Sequence, residues 1–191
     1  MGIAVVALVG GVTVAVLRGG TLAGLARLPL RRKAFVVAAV GAQVGGAVLG
    51  LVGAADPRRS YVVGLAVSAG CAAAFCLANL RVSGVPLVTA GLVANAVVVG
   101  LNGAMPVSIT AALRAGVPIT TIAAGVDARH ELAGRGTTWG ALGDVVPVPF
   151  PVRPEVVSPG DVLVAAGLGE LVVIGMLRRR RDGMILARNG G

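Results

Sequence analysis

The chain has 191 residues, of which 56% are hydrophobic, 13% charged and 3% aromatic, with a formal net charge of +9. A water-soluble domain needs more polar surface than this to cover its core, so a soluble globular fold is excluded and one integral membrane domain spanning residues 1–191 is expected. The basic charge does not point to nucleic acid, because the arginines and lysines stand just outside apolar runs, where they orient a membrane protein.

An apolar run of about 17–25 residues can cross the hydrocarbon core as a helix. The first such run is Gly2 to Leu17, short and glycine-bearing. It has no basic leader and no A-x-A cleavage site, so it reads as an uncleaved span rather than a signal peptide. The second is Ala34 to Val52, the third Val62 to Leu80, the fourth Leu87 to about Leu101, and the fifth Asp161 to Leu177. The fold class is therefore all-α, a polytopic membrane bundle of about five helices.

Between the last two spans lies an extracytoplasmic or interfacial segment, residues 102–160. Val107 to Val126 is moderately apolar but interrupted by Arg114, Gly116 and Pro118. It is expected to form an interfacial or re-entrant helix rather than a sixth span. Asp144 to Pro151 carries alternate prolines, which fix φ and remove donors, so an extended, polyproline-like course is expected. Irregular backbone cannot face lipid, so this stretch should pack over the outer ends of the spans. The last span opens on Ser158-Pro159-Gly160-Asp161, which reads as an N-cap, a proline at the first helical position and an acid at the third.

Basic residues set the orientation. Arg18, Arg27, Arg31, Arg32 and Lys33 follow the first span, Arg81 follows the third, and Arg178 to Arg181 with Arg188 follow the fifth. The opposite side holds Arg58 and Arg59, then Arg114, Arg129, Arg135 and Arg153 in the long segment. The N-terminus is expected outside and the C-terminus in the cytoplasm. The Arg178 block could also recruit anionic lipid, although an ordinary positive-inside stop accounts for it. The abundance of arginine, alanine, glycine and valine is that of a GC-rich bacterial genome, and the expected location is a bacterial cell membrane.

Three islands in this order resemble a family of multi-pass membrane proteins, domain-of-unknown-function family five-three-one-seven, found in actinobacteria. They are Asn102-Gly103-Ala104-Met105-Pro106-Val107, Gly143-Asp144-Val145-Val146-Pro147, and Ser158-Pro159-Gly160-Asp161-Val162-Leu163. Asn95 fits the same pattern, whereas Glu170 departs from it. The resemblance implies the fold and the location, and no chemistry, because the family has no assigned activity.

The single histidine, His130, stands in a polar stretch beside Glu131 and reads as a solvated loop residue. Catalysis or metal binding would require partners in a fixed arrangement around it. Cys71 and Cys76 are too widely spaced on one helix to bridge, and read as small core residues. Gly167-x-Gly169 lies inside a span and lacks the third glycine of a nucleotide-binding turn. Gly41 and Gly45, like Gly46 and Gly50, have the spacing that lets helices approach closely. No catalytic residue, metal or cofactor is expected.

Polar side chains inside spans are the remaining pointer, because lipid cannot satisfy them. Gln43, Asn95 and Glu170 lie roughly 15, 13 and 12 Å from the inner ends of their spans by helix rise. They are expected to meet near mid-membrane, Asn95 with Glu170 and Gln43 nearby; Asn79 and Asn102 are further polar candidates within the spans, and Gln43, Asn95, Asn102 and Glu170 are the candidate binding residues. The expected function is that of a non-enzymatic membrane component binding a partner or lipid through the outer segment and the bundle, with membrane lipid, another membrane protein or a second copy of the chain as candidate partners. A small transporter or channel subunit using the polar cluster is the alternative, and an enzyme ranks last.

Overall fold

The computed structural model describes residues 2–53, 56–125, 129–151 and 154–189, with side chains excepted at 57, 58 and 179–189. Val126, Asp127 and Arg153 lie outside the described residues, as do the side chains of Arg58, Arg179, Arg180, Arg181 and Arg188. The protein is mostly helical: α1 (Gly2–Leu17), α2 (Leu22–Ala26), α3 (Ala34–Leu51), α4 (Pro57–Asn79), α5 (Val85–Asn102), α6 (Ile109–Ala115), α7 (Ile119–Ala123) and α8 (Pro159–Asn189). Among the described residues between α5 and α8 lie four strands of three residues each: β1 (Met105–Val107), β2 (His130–Leu132), β3 (Val146–Val148) and β4 (Glu155–Val157).

Among the described residues, four helices are long and apolar enough to cross a membrane, namely Ala34–Leu51, Arg59–Asn79, Val85–Asn102 and Pro159–Arg178. The first of the five expected spans, α1, is shorter, at 16 residues, or about 24 Å against a hydrocarbon core of about 30 Å. The apolar surface of these helices is left open. No residue of α3 is buried, and Val37 and Leu51 are 73% and 86% exposed. An apolar surface this continuous is stable only against lipid or another protein.

Close backbone contact orders the bundle. A Cβ on Gly46 would come 2.7 Å from the Ser60 carbonyl oxygen, and one on Gly64 2.8 Å from that of Ala42, so α3 and α4 run antiparallel with no room for side chains between them. Gly91 faces Gly160 and Gly84 faces Gly167, which fixes α5 antiparallel to α8. Thus Gly167 serves helix packing. Gly41 and Gly45 have open space beside them. α1 lies parallel to α8, with Gly11 against Gly169 and Ala15, Val172 and Met176 forming a buried cluster.

The loops consequently gather at two ends. One end holds Arg18, α2, Arg31 to Lys33, the α4–α5 turn with Arg81, and Arg178. The other holds the start of α1, the α3–α4 turn and a cap built from β1 to β4, α6 and α7. α8 opens as its sequence predicts. Ser158 Oγ accepts from the Asp161 amide at 2.9 Å, and Asp161 Oδ2 accepts from the Ser158 amide at 3.2 Å, a reciprocal capping box.

In the cap, residues 107–125 give two short helices broken at Gly116 (φ +80°) and Pro118 rather than one interfacial or re-entrant helix. β1 pairs with β2 in parallel, β3 with β4 antiparallel, and a Val107–Asp144 bridge joins the two ladders. The proline-rich stretch is extended as expected, but as a strand: Pro147 sits opposite Val156. A two-stranded ladder has only edges, where a missing donor is tolerated.

Candidate functional site

A wide groove lies at the arginine end. Thr21 caps α2 by accepting from the Gly24 amide, and Gly24 seats α2 against the Gly175 and Met176 carbonyls of α8. The chain then crosses to α4, where Asn79 clamps it. The Asn79 Oδ1 accepts from the Arg31 amide at 2.8 Å, while its Nδ2 donates to the carbonyls of Arg31 and Phe75 at 3.0 and 2.7 Å. Asn79 is thus a buried backbone clamp.

Between this crossing segment, the end of α4 and the middle of α8 runs a groove of about 940 Å³, within the size range of ligand sites. Leu28, Leu77, Leu171, Ile174 and Leu177 line it together with Arg31, Arg81 and Arg178. The three arginines are exposed. Among the described residues, no carboxylate ion-pairs with them. Sequence reasoning counted these arginines as orientation signals and missed that they share a groove. They come from three distant segments, so no local signal could have found it.

The expected mid-membrane cluster does not form. Asn95 Nδ2 donates to Asp161 Oδ1 at 2.8 Å, and Asn95 Oδ1 accepts from Ser158 Oγ at 2.8 Å. Glu170, nine residues further along α8 and so about 14 Å away by helix rise, lines a small groove beside the α4–α5 turn with Arg81, Ser83 and Pro86. The expected meeting at one depth requires spans that end level with one another. They do not: Gly84, just before α5, lies against Gly167 and Leu171, so α8 runs well past that turn before reaching Arg178. Gln43 lies on α3, which packs along α4. Asn102 closes the other end of α5, where its Nδ2 donates to the Val98 and Thr138 carbonyls and its Oδ1 accepts from the Thr138 amide.

The remaining motif residues meet in the cap. Gly103 closes α5 at φ +81°, which suits glycine, and Met105 and Pro106 lie in buried β1. The Asp144 amide donates to the Pro106 carbonyl at 2.8 Å, and its carbonyl accepts from Ser108 at 2.9 Å. A Cβ on Gly143 would collide with the Pro106 carbonyl, and one on Gly160 with the Asn95 side chain. Pro147 lies in β3. Asn102, Gly103, Met105, Pro106, Asp144, Pro147, Ser158, Gly160 and Asp161 thus hold the cap on α5 and α8.

The Asp144 side chain is buried, at 6% exposure. Its burial, reinforced by the charges of Asp161 and Glu155, pushes its pKa up to about 8. His130, expected in solvent, is instead half-buried in β2 with Nε2 3.6 Å from Asp144 Oδ2, beyond hydrogen-bond length. Glu155 caps α1 by accepting from the amides of Gly2 and Ile3 at 3.0 and 2.8 Å. Burial works against ionisation of Glu155, but the amino terminus and these amides outweigh it and hold the carboxyl below its usual range. Cys76 is buried and donates to the Val85 carbonyl at 3.4 Å, while Cys71 is half-buried.

A sequence model of DUF5317, a family of unknown function, matches residues 27–173. No curated protein and no solved structure matches the chain.

Proposed function

This chain belongs to DUF5317, a family of unknown function, and we propose that it is a non-enzymatic, multi-pass component of the bacterial cell membrane that holds a lipid in the groove at its arginine end. The observation that carries this reading is the groove itself. It offers about 940 Å³ between helix ends, with leucine and isoleucine walls and cationic side chains beside them. An amphiphile matches both kinds of surface, and a membrane supplies amphiphiles at high local concentration. The gathering of basic residues supports placing this end, and the C-terminus, in the cytoplasm, with the cap and the N-terminus outside.

The transporter reading rested on a polar cluster at mid-membrane. With Asn95 engaged by Ser158 and Asp161, that support is gone. The test is the phospholipid retained by the full chain after purification and exchange into lipid-free detergent. A stoichiometric amount is expected on the wild type and a marked loss in Ala78→Trp, which fills the groove from the end of α4. A wild-type chain that carries no lipid overturns the reading.

A further inference from the structure

We infer that the groove is selective for an anionic phospholipid, with the phosphodiester held by Arg31, Arg81 and Arg178 and an acyl chain lying along Leu77, Leu171 and Ile174. The inference rests on the reading that the groove holds a lipid, and adds the charge class and the residues that read it.

Three features of the groove select this ligand. First, its cations come from separate elements: the segment before α3, the α4–α5 turn and α8. The fold therefore draws three like charges to one groove, which is unfavourable unless an anion joins them. No described carboxylate ion-pairs with them, and Glu170 lines an adjoining groove that contains, of the three, only Arg81. Second, all three are arginines, whose planar fork matches phosphate oxygens two at a time. Basic pockets between helices at a cytoplasmic face are known places for acidic head groups. Third, the depth is right. Along α8, the apolar wall begins at Leu177 beside Arg178 and continues through Ile174 to Leu171, about 10 Å below Arg178 by helix rise. That is the order in which a phospholipid presents phosphate, glycerol and chain. Leu77 is 72% exposed and Ile174 40%, so the chain has an open flank through which to reach the bilayer. A zwitterionic head group would bring its own cation against the three guanidinium groups, and free phosphate would leave the apolar walls uncovered.

The test uses the full chain in detergent, with phosphatidylglycerol or phosphatidylcholine added in equal amounts and adducts counted by native mass spectrometry. The wild type should prefer phosphatidylglycerol several-fold. The triple variant Arg31→Gln, Arg81→Gln, Arg178→Gln should lose that preference while keeping its phosphatidylcholine adducts. The variant Arg27→Gln, Arg32→Gln, Lys33→Gln, which removes three charges at the same end outside the groove lining, should keep the preference and so shows that the first triple variant's loss is local. Excess inorganic phosphate should leave the phosphatidylglycerol adducts in place. Equal binding of the two lipids by the wild type, a preference surviving in the first triple variant, or displacement by phosphate each overturns the inference. Ala78→Trp separates the two levels: if it removes adducts of both lipids while charge selectivity is absent, the groove reading stands and only the anionic assignment falls. If it changes neither lipid, the groove reading itself fails.

Discussion

Raising the pH should loosen the cap through Asp144. The carboxyl titrates near 3.8 in an exposed chain and is pushed up to about 8 in the folded protein. Each unit corresponds to about 1.4 kcal/mol, so ionising the group in place costs at most roughly 6 kcal/mol. Local opening that rehydrates the carboxyl sets a lower ceiling in practice. The sign follows from the direction of the shift. Between the two pKa values the folded protein holds more protons than the unfolded one, so the stabilisation present below pH 3.8 is lost as pH rises towards and through about 8. Trp139 is the only tryptophan and follows Thr138, which Asn102 clamps, so its emission reports on the cap. Its thermal transition in detergent should fall steadily from about pH 5 to about pH 9 in the wild type, while Asp144→Asn, which cannot ionise, should be nearly flat. The variant keeps His130, Asp161 and Glu155, so the difference between the slopes isolates Asp144. Equal slopes in the two proteins would refute the argument.

Two further outcomes follow from hydrogen bonds at helix ends. Asn95→Leu leaves Ser158 and Asp161 without their partner on α5, and a loss of about 1–3 kcal/mol is expected, read as a lowered thermal transition, whereas an unchanged transition would mean the network is dispensable. Glu155→Gln weakens the charged cap on the start of α1, so amide exchange at Gly2 and Ile3 should accelerate with little change in α5; equal protection in both proteins would count against the capping role.

The five apolar runs were legible because a helix in lipid must satisfy its own backbone, and nothing but a run of apolar residues does so cheaply. The start of α8 was legible for a similar local reason, since Ser158 and Asp161 cap each other within one turn. The interruption at Gly116 and Pro118 was legible as an obstacle to a sixth span, but not as the point that divides the stretch into two short helices. The relative height of the helices was not legible. It is set by Gly91 against Gly160 and Gly84 against Gly167, pairs far apart in sequence, and an error there moved Glu170 away from Asn95. The strands escaped notice because three residues are too few to show alternation. The groove escaped because Arg31, Arg81 and Arg178 meet only after α2 has packed on α8 and Asn79 has clamped the crossing segment.

Everything proposed for the groove depends on its facing the inner leaflet, with the cap on the opposite side. The most direct test replaces Cys71 and Cys76 with alanine and places single cysteines at Arg135 in the cap and at Arg81 in the α4–α5 turn. In intact cells a membrane-impermeant thiol reagent should label Arg135→Cys and reach Arg81→Cys only after permeabilisation. Labelling of both without permeabilisation, or the reverse pattern, would contradict the account.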